Sequence, residues 1–577
     1  MVFLKNLCYY CIAGWLKPIN KTAIQFFMKY VLIISAALIF QCNCLFSTAS
    51  PAVAEVEKFG FYDMVLNSSG KYTNPYTDLN AEVDLARPDG SQWTIPMFWD
   101  GGSEWKFRVS PDMEGEWTWK TRSTDKGLNG RKGKFTCMSS KLRGSIKPMK
   151  DFPYHFQYQN GDPMWFLGET AWALFTDNAE EKLDRMGAEK LISTRASQGF
   201  NVIHSMVLSE AGWGNSGGKP FDDLSKQAIN PGYWKEMDQR LSFANRNGIV
   251  CGLAIAWGDK NKKVPFPWRM FPDLESRKRY ARYVAARYSA FDVYFLVSGE
   301  WHGEVRARPS TDAEMKKEFI EIGKALDEAE PHGRMIGIHP MTAQGSVREF
   351  NDASWMSFGD YQQNYVQLHS RILESMIYRK PVVNSEYGYH LRDQDGDGTP
   401  DKDNSTCVES MRHASWDIVM AGGYIVTGFG TTYFGGFRDP GPFDVDAAKN
   451  DEWEMQTCLI KKIFAGIDWW KLASHDELLT SSVARDADGK HLGQAAPPVT
   501  TYWLLADPGK QYMLYARGMK DSLLLKPVSD ASGTFHARLI NPVRGIIREI
   551  EGEQRLNNGF AWMPPDDKEW VLHLFTR

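Results

Sequence analysis

The chain has 577 residues, of which 43% are hydrophobic and 13% aromatic, and a formal net charge of -4. At about 150 residues per domain this length fits three or four units, a barrel counting as two, and the hydrophobic share supports a sizeable core. The charge balance offers no basic excess for nucleic acid, whereas the 21 Trp supply flat rings of the kind that stack on the apolar faces of sugars.

At the amino end, Met28-Lys29 precede an apolar run over residues 30–40, and Ala52-Val53-Ala54 before Glu55 has the small-residue pattern of a signal-peptidase site. Residues 1–54 are therefore expected to be an upstream extension and signal peptide. The mature chain is expected to be exported, periplasmic or extracellular, with no membrane span. Cys42 offers a lipoprotein alternative, although Gln41 before it fits a lipobox poorly. Four of the eight Cys precede the cleavage site, and Cys137, Cys251, Cys407 and Cys458 lie far apart with no C-x-x-C, which argues against zinc-knuckle and thioredoxin motifs. Buried free thiols are expected; if export oxidises a pair, Cys407 with Cys458 is the first choice.

Residues 55–140 alternate short β-type runs with turn clusters. Trp105, Phe107 and Val109 keep the period of a half-buried strand, and Trp117 and Trp119 repeat it, so an immunoglobulin-like β-sandwich is expected. From 141 to 470 the pattern becomes strand, helix, strand. Eight apolar runs (164–169, 201–207, 250–257, 293–300, 334–340, 353–360, 381–388 and 422–430) are separated by helical stripes such as Trp234, Met237, Leu241 and Ala244. Eight strands in order predict one (β/α)8 barrel. Over 471–577 the helices stop and turn-bounded strands predict a second β-sandwich. The expected class is α/β, a barrel flanked by two sandwiches.

Glu300 closes the fourth run (VYFLVSGE) and Glu386 closes the seventh (PVVNSEYG). Barrels keep their chemistry at the carboxyl ends of their strands. Two glutamates there are the minimal machinery for cleaving a glycosidic bond, one as acid/base and one as nucleophile, which converge to about 5–5.5 Å when the anomeric configuration is retained. An inverting enzyme, with carboxylates about 6.5–9.5 Å apart, is an alternative. So is a non-catalytic carbohydrate-binding surface protein on a degenerate barrel.

Strands four and seven carry the acid/base and nucleophile in clan A of the retaining glycoside hydrolases, which this barrel resembles. The first strand, NGDPMWFLGETAWALF, followed by ASQGFNVI, is similar to the opening of the bacterial apiosidase-like barrels, which often read F-x-x-L-G-D-T-A-W there. The WDG…W-x-F-R…G-x-W-x-W pattern before it resembles the sandwich that precedes barrels in bacterial polysaccharide-degrading enzymes. The resemblance implies a carbohydrate hydrolase acting on a plant or algal polysaccharide or oligosaccharide, with Glu300 as acid/base, Glu386 as nucleophile and no cofactor for catalysis. Two departures stand out. Gly299 occupies the place where clan A usually has Asn. Glu300 follows Ser298-Gly299 where apiosidase-like members often have Asp after a Gly pair, and its extra methylene argues against apiose as substrate.

Other polar and aromatic side chains at the run ends are expected to bind substrate. Glu169 takes the place of the family Asp and is assigned to sugar binding. His204, His339, Asp360 and Tyr361 are read as hydrogen-bonding sugar hydroxyls, Tyr361 also as orienting the nucleophile, and Trp172, Trp257 and Trp301 as stacking platforms. After Glu386 come Asp393, Asp395, Asp397 and Asp401 with glycines between them. This spacing matches the first positions of a calcium loop, although Asn404 stands where its closing Glu would fall. A structural Ca2+ is the expectation there, with a solvated acidic loop as the alternative.

Overall fold

The computed structural model describes residues 54–177, 183–208, 213–258, 267–301, 312–341, 344–363, 367–390, 405–406, 408–428, 448–485, 500–527 and 533–576. The signal-peptide expectation, Cys407 and the four aspartates of the acidic loop lie outside the described residues.

A five-stranded antiparallel sheet and a three-stranded one form the first domain, packing on a core that includes Leu85, Phe107, Trp117 and Phe135. The period-two pattern is the cause: strand Glu104–Val109 buries Trp105, Phe107 and Val109, and strand Gly115–Ser123 buries Trp117, Trp119 and Thr121.

The barrel strands are β1 (Leu167–Thr170), β2 (Val202–Met206), β3 (Val250–Ala254), β4 (Val293–Leu296), β5 (Ile336–Gly337), β6 (Gly359–Gln362), β7 (Val382–Asn384) and β8 (Tyr424–Thr427). Each is followed by a helix: α1 (Arg185–Gln198), α2 (Pro231–Arg246), α3 (Leu274–Tyr288), α4 (Asp312–Glu328), α5 (Ser346–Phe350), α6 (Leu368–Ser375), α7 (Val408–Met420) and α8 (Ala448–Ala465). The strands run parallel in the order β5-β4-β3-β2-β1-β8-β7-β6. Between β5 and β6 the ring is nearly closed by a bridge of Ile336 to Met356, where Ser357 N donates to Ile336 O at 2.8 Å.

Local signals set the helix ends. Asp184 caps α1 by accepting from Gly187 N, and Gly199 ends it at φ +107, a left-handed conformation that suits glycine. Asp273 and Ser276 form a reciprocal capping box at α3. The strands are shorter than the apolar runs, yet backbone pairing continues beyond them toward the mouth. Past β4, for example, Val297 N donates to Gly337 O and His339 N to Ser298 O, each at 2.9 Å, and Gly299 bridges Trp257.

Strands from Ala473–Ser474 to Trp570–Phe575 form six-stranded and three-stranded sheets around a third core. Both sandwiches are tied to the barrel by buried charge. Arg108 and Arg287 share Asp238 at 2.6 and 2.8 Å, and Arg287 reaches Asp100 at 2.9 Å. On the other side, Asp417 of α7 accepts two bonds from Arg517 at 2.9 Å and one from Trp503 at 2.8 Å. Among the described residues no helix is long and apolar enough to cross a membrane.

Candidate active site

Strand alternation decides which side chains enter the barrel. A Cβ at Gly168 would meet Val426 and Val202, so this position faces the lumen and Glu169 faces outward. There Glu169 forms a buried bidentate pair with Arg195 of α1, whose Nη2 donates to Oε1 at 3.0 Å. Burial raises the Glu169 pKa against the opposing pull of Arg195. The sugar-binding assignment of Glu169 is therefore corrected: it ties a strand to its helix. Tyr361 is likewise turned out of the lumen, its hydroxyl 2.5 Å from Ser375 Oγ of α6, which corrects its reading as a residue that orients Glu386. The ring of Trp301 packs against Phe319 of α4 and Phe350 of α5, making it a core residue of the helix layer rather than a platform.

The remaining candidates converge. Glu300 and Glu386 follow the carboxyl ends of β4 and β7 and are 1% and 3% exposed. Gln362, at the end of β6, donates from Nε2 to Glu300 Oε1 at 2.9 Å. His339, beyond β5, lies between two carboxylates: its Nε2 is 3.3 Å from Glu386 Oε2 and its Nδ1 is 3.1 Å from Asp360 Oδ2. Ser385 joins them, its hydroxyl donating to Asp360 Oδ1 at 2.5 Å while lying 3.0 Å from His339 Nδ1. Burial works against a charge on His339, but Asp360 and then Glu386 outweigh it and raise its pKa to about 10. The imidazolium thus faces Glu386 across the neutral range. The same burial raises the Asp360 pKa against the pull of His339.

Below the mouth, His204 of β2 hydrogen-bonds Tyr294 of β4 across Gly252, where a side chain would strike both rings. Burial and the charge on His339 push its pKa down to about 3, so it is a neutral packing partner. Trp172 and Trp257 meet edge to face at 4.9 Å, and each lies within 6 Å of the His339 ring. They wall the charged cluster.

Gly299 explains one departure seen in the sequence. A Cβ there would overlap the six-membered ring of Trp257, so no side chain fits before Glu300. Glu300 itself adopts φ +42, a left-handed conformation of the kind that non-glycine residues keep mainly where surrounding packing enforces it.

Two residues at the site, Gln362 and Ser385, escape sequence reading because a lone amide and hydroxyl carry no motif. The available signal was spacing: Gln362 stands two residues after Asp360 on one strand and shares its face. Cys137 and Cys251 are buried free thiols.

A (β/α)8 barrel with two buried glutamates at the ends of strands four and seven defines the class, a barrel glycosidase. Residues 153–470 match the apiosidase-like catalytic domain, more than half of the chain, and the protein belongs to that family. Residues 55–124 match a domain of unknown function (DUF5060). Among solved structures, a candidate glycoside hydrolase from Bacteroides vulgatus is similar at 18% identity with a TM-score of 0.68, covering 90% of this chain and 99% of that one. A glycoside hydrolase family 5 protein from the same organism is similar at 17% identity with a TM-score of 0.59, covering 75% and 93%. At these identities the likeness is one of fold. No curated protein matches the chain in sequence.

Proposed function

We propose that the protein is an exported retaining glycosidase of plant or algal polysaccharides or oligosaccharides. The observation that carries this reading is the pairing of Glu386 with the His339 imidazolium. A neighbouring cation keeps a buried carboxylate ionised and therefore nucleophilic. In the first step Glu386 attacks the anomeric carbon as Glu300 protonates the departing glycosidic oxygen, giving a glycosyl ester and a free alcohol. In the second step Glu300 takes a proton from water, whose oxygen displaces Glu386 and restores the original anomeric configuration. Gln362 holds Glu300 in place, and Trp172 and Trp257 exclude water from the cluster. The choice of sugar and linkage would fall to the segments that follow the barrel strands, since loop variation sets specificity in barrels.

Variants test the assignment of roles. Glu386→Ala should lose turnover and be rescued by azide on an activated substrate, giving a glycosyl azide of inverted configuration. Glu300→Ala should keep activity only where the leaving group needs no proton. Inversion by the wild-type enzyme, read by NMR of the first-formed product, would replace this mechanism with direct displacement by water. We also propose that Asp393, Asp395, Asp397 and Asp401 hold a structural Ca2+ with no part in bond cleavage.

A further inference from the structure

Asp360, read from the sequence as a sugar-binding residue, is fully buried and has both carboxylate oxygens engaged. Oδ2 stands 3.1 Å from His339 Nδ1 and Oδ1 accepts from the Ser385 hydroxyl at 2.5 Å, while the Asp360 backbone N–H donates to Ser346 Oγ at 2.8 Å. The Ser385 oxygen also lies 3.0 Å from His339 Nδ1, and having given its one proton to Asp360 it can only accept there. Two acceptors at Nδ1 fix that nitrogen as protonated, so Nε2 decides the charge of the ring. A bare Nε2 would turn a lone pair on Glu386 Oε2 at 3.3 Å, whereas a protonated one makes the ring a cationic donor. His204 of β2, also facing His339, is neutral. A closed circuit results, from Asp360 to Ser385, along the chain to Glu386, across to His339 and back to Asp360. One carboxylate thus holds both the backbone that carries the nucleophile and the cation that faces it.

Ester formation changes this balance. When Glu386 bonds to the anomeric carbon its negative charge is lost, and of the two anions on His339 only Asp360 remains. We propose that Asp360 is a positioning residue for the second half of the reaction: acting through His339 and Ser385, it keeps an imidazolium beside the glycosyl ester, ready for the carboxylate that departs when water attacks. A neutral amide in place of Asp360 would let the ring shed its Nε2 proton once Glu386 is esterified, and the departing carboxylate would then meet a lone pair instead of a cation. This role presupposes the retaining-glycosidase reading, whereas the charge on His339 does not, so the two are measured apart.

Nitrogen NMR of protein labelled at histidine, with the His339 signals assigned by their loss in His339→Gln, reads the charge without turnover. The wild type should show both ring nitrogens protonated across the neutral range, and Asp360→Asn should bind the Nε2 proton about ten-fold or more weakly. Ser385→Ala, which deletes a single oxygen, should leave the ring charged but move the Nδ1 signal; it carries the test if Asp360→Asn does not fold. An unchanged proton affinity in folded Asp360→Asn, or an unmoved Nδ1 signal in Ser385→Ala, overturns the proposal. Kinetics on a panel of dinitrophenyl glycosides, whose leaving group needs no proton from Glu300, reads the step. In Asp360→Asn a slowed second step should lower kcat and KM together by roughly ten-fold, with a burst of dinitrophenolate and a glycosyl-enzyme visible by mass spectrometry. A fall in kcat at unchanged KM with no burst would place Asp360 outside the second step and overturn its role. Folded wild-type enzyme that turns over neither natural nor aryl glycosides removes the glycosidase reading and this role with it, while the NMR response still shows whether Asp360 sets the charge on His339.

Discussion

The barrel lumen and the layer behind its strands handle buried carboxylates differently. Behind β1, Glu169 is met by both nitrogens of the Arg195 fork, a bidentate pairing that matches the carboxylate in geometry and charge. In the lumen one imidazolium is shared between Glu386 and Asp360, and Glu300 is met by an uncharged amide of Gln362. Charge matched by geometry builds structure, while charge shared among several groups leaves carboxylates able to change bonding during a reaction.

The largest expected contrast separates the two regions by readout. Glu386→Ala should lower turnover on the order of 10^4-fold with little change in Tm. Glu169→Ala strands a buried guanidinium and should destabilise the fold by about 3–5 kcal/mol, while the folded fraction keeps its kcat. Urea melts beside kinetics check both, and a Glu169→Ala enzyme that folds normally but does not turn over would return Glu169 to the site. Next in size is Gly299→Ala, whose methyl overlaps the Trp257 ring and must displace Glu300. A misplacement near 1 Å costs roughly 10^2-fold, and Trp257→Ala added to Gly299→Ala should recover part of that loss.

A smaller effect distinguishes the two lumen histidines by pH. His339, with a pKa raised to about 10, contributes stability that is complete below its ordinary value near 6.5 and lost as pH climbs through 10. His204, with a pKa lowered to about 3, works the other way, because the unfolded chain takes up its proton first and stability drops as pH falls from 6.5 toward 3. Melts of His339→Gln should therefore lack the alkaline part of the slope seen in the wild type; an identical alkaline slope would mean that His339 is not charged. The smallest expected effect is that of calcium, which should raise Tm by mass action on the native state, and Asp395→Ala should abolish the rise. Equal melting of chelated protein with and without added calcium would leave the acidic segment as a solvated loop.

Much of the architecture was legible in the sequence because its signals are local. Period-two tryptophans mark the first sandwich, apolar runs between amphipathic stripes mark the barrel, and Glu300 and Glu386 each close such a run. What the sequence could not decide was parity. Parallel strands buried on both faces read as continuous apolar runs, with no alternation to say which residues point inward. Glu169 and Glu386 look alike in the chain, each at the end of a β-type run. Contacts of Gly168 with Val202 and Val426 turn Glu169 toward α1, and the register of β6 and β7 turns Asp360, Gln362 and Ser385 into the lumen. By itself, then, the sequence determined the order of elements and the place of Glu300 and Glu386 beyond the fourth and seventh strands. The tertiary structure alone decided that His339 is the cation between two carboxylates and that Tyr361 and Trp301 belong to the helix layer, because side-chain direction in a short buried strand is settled by its neighbours.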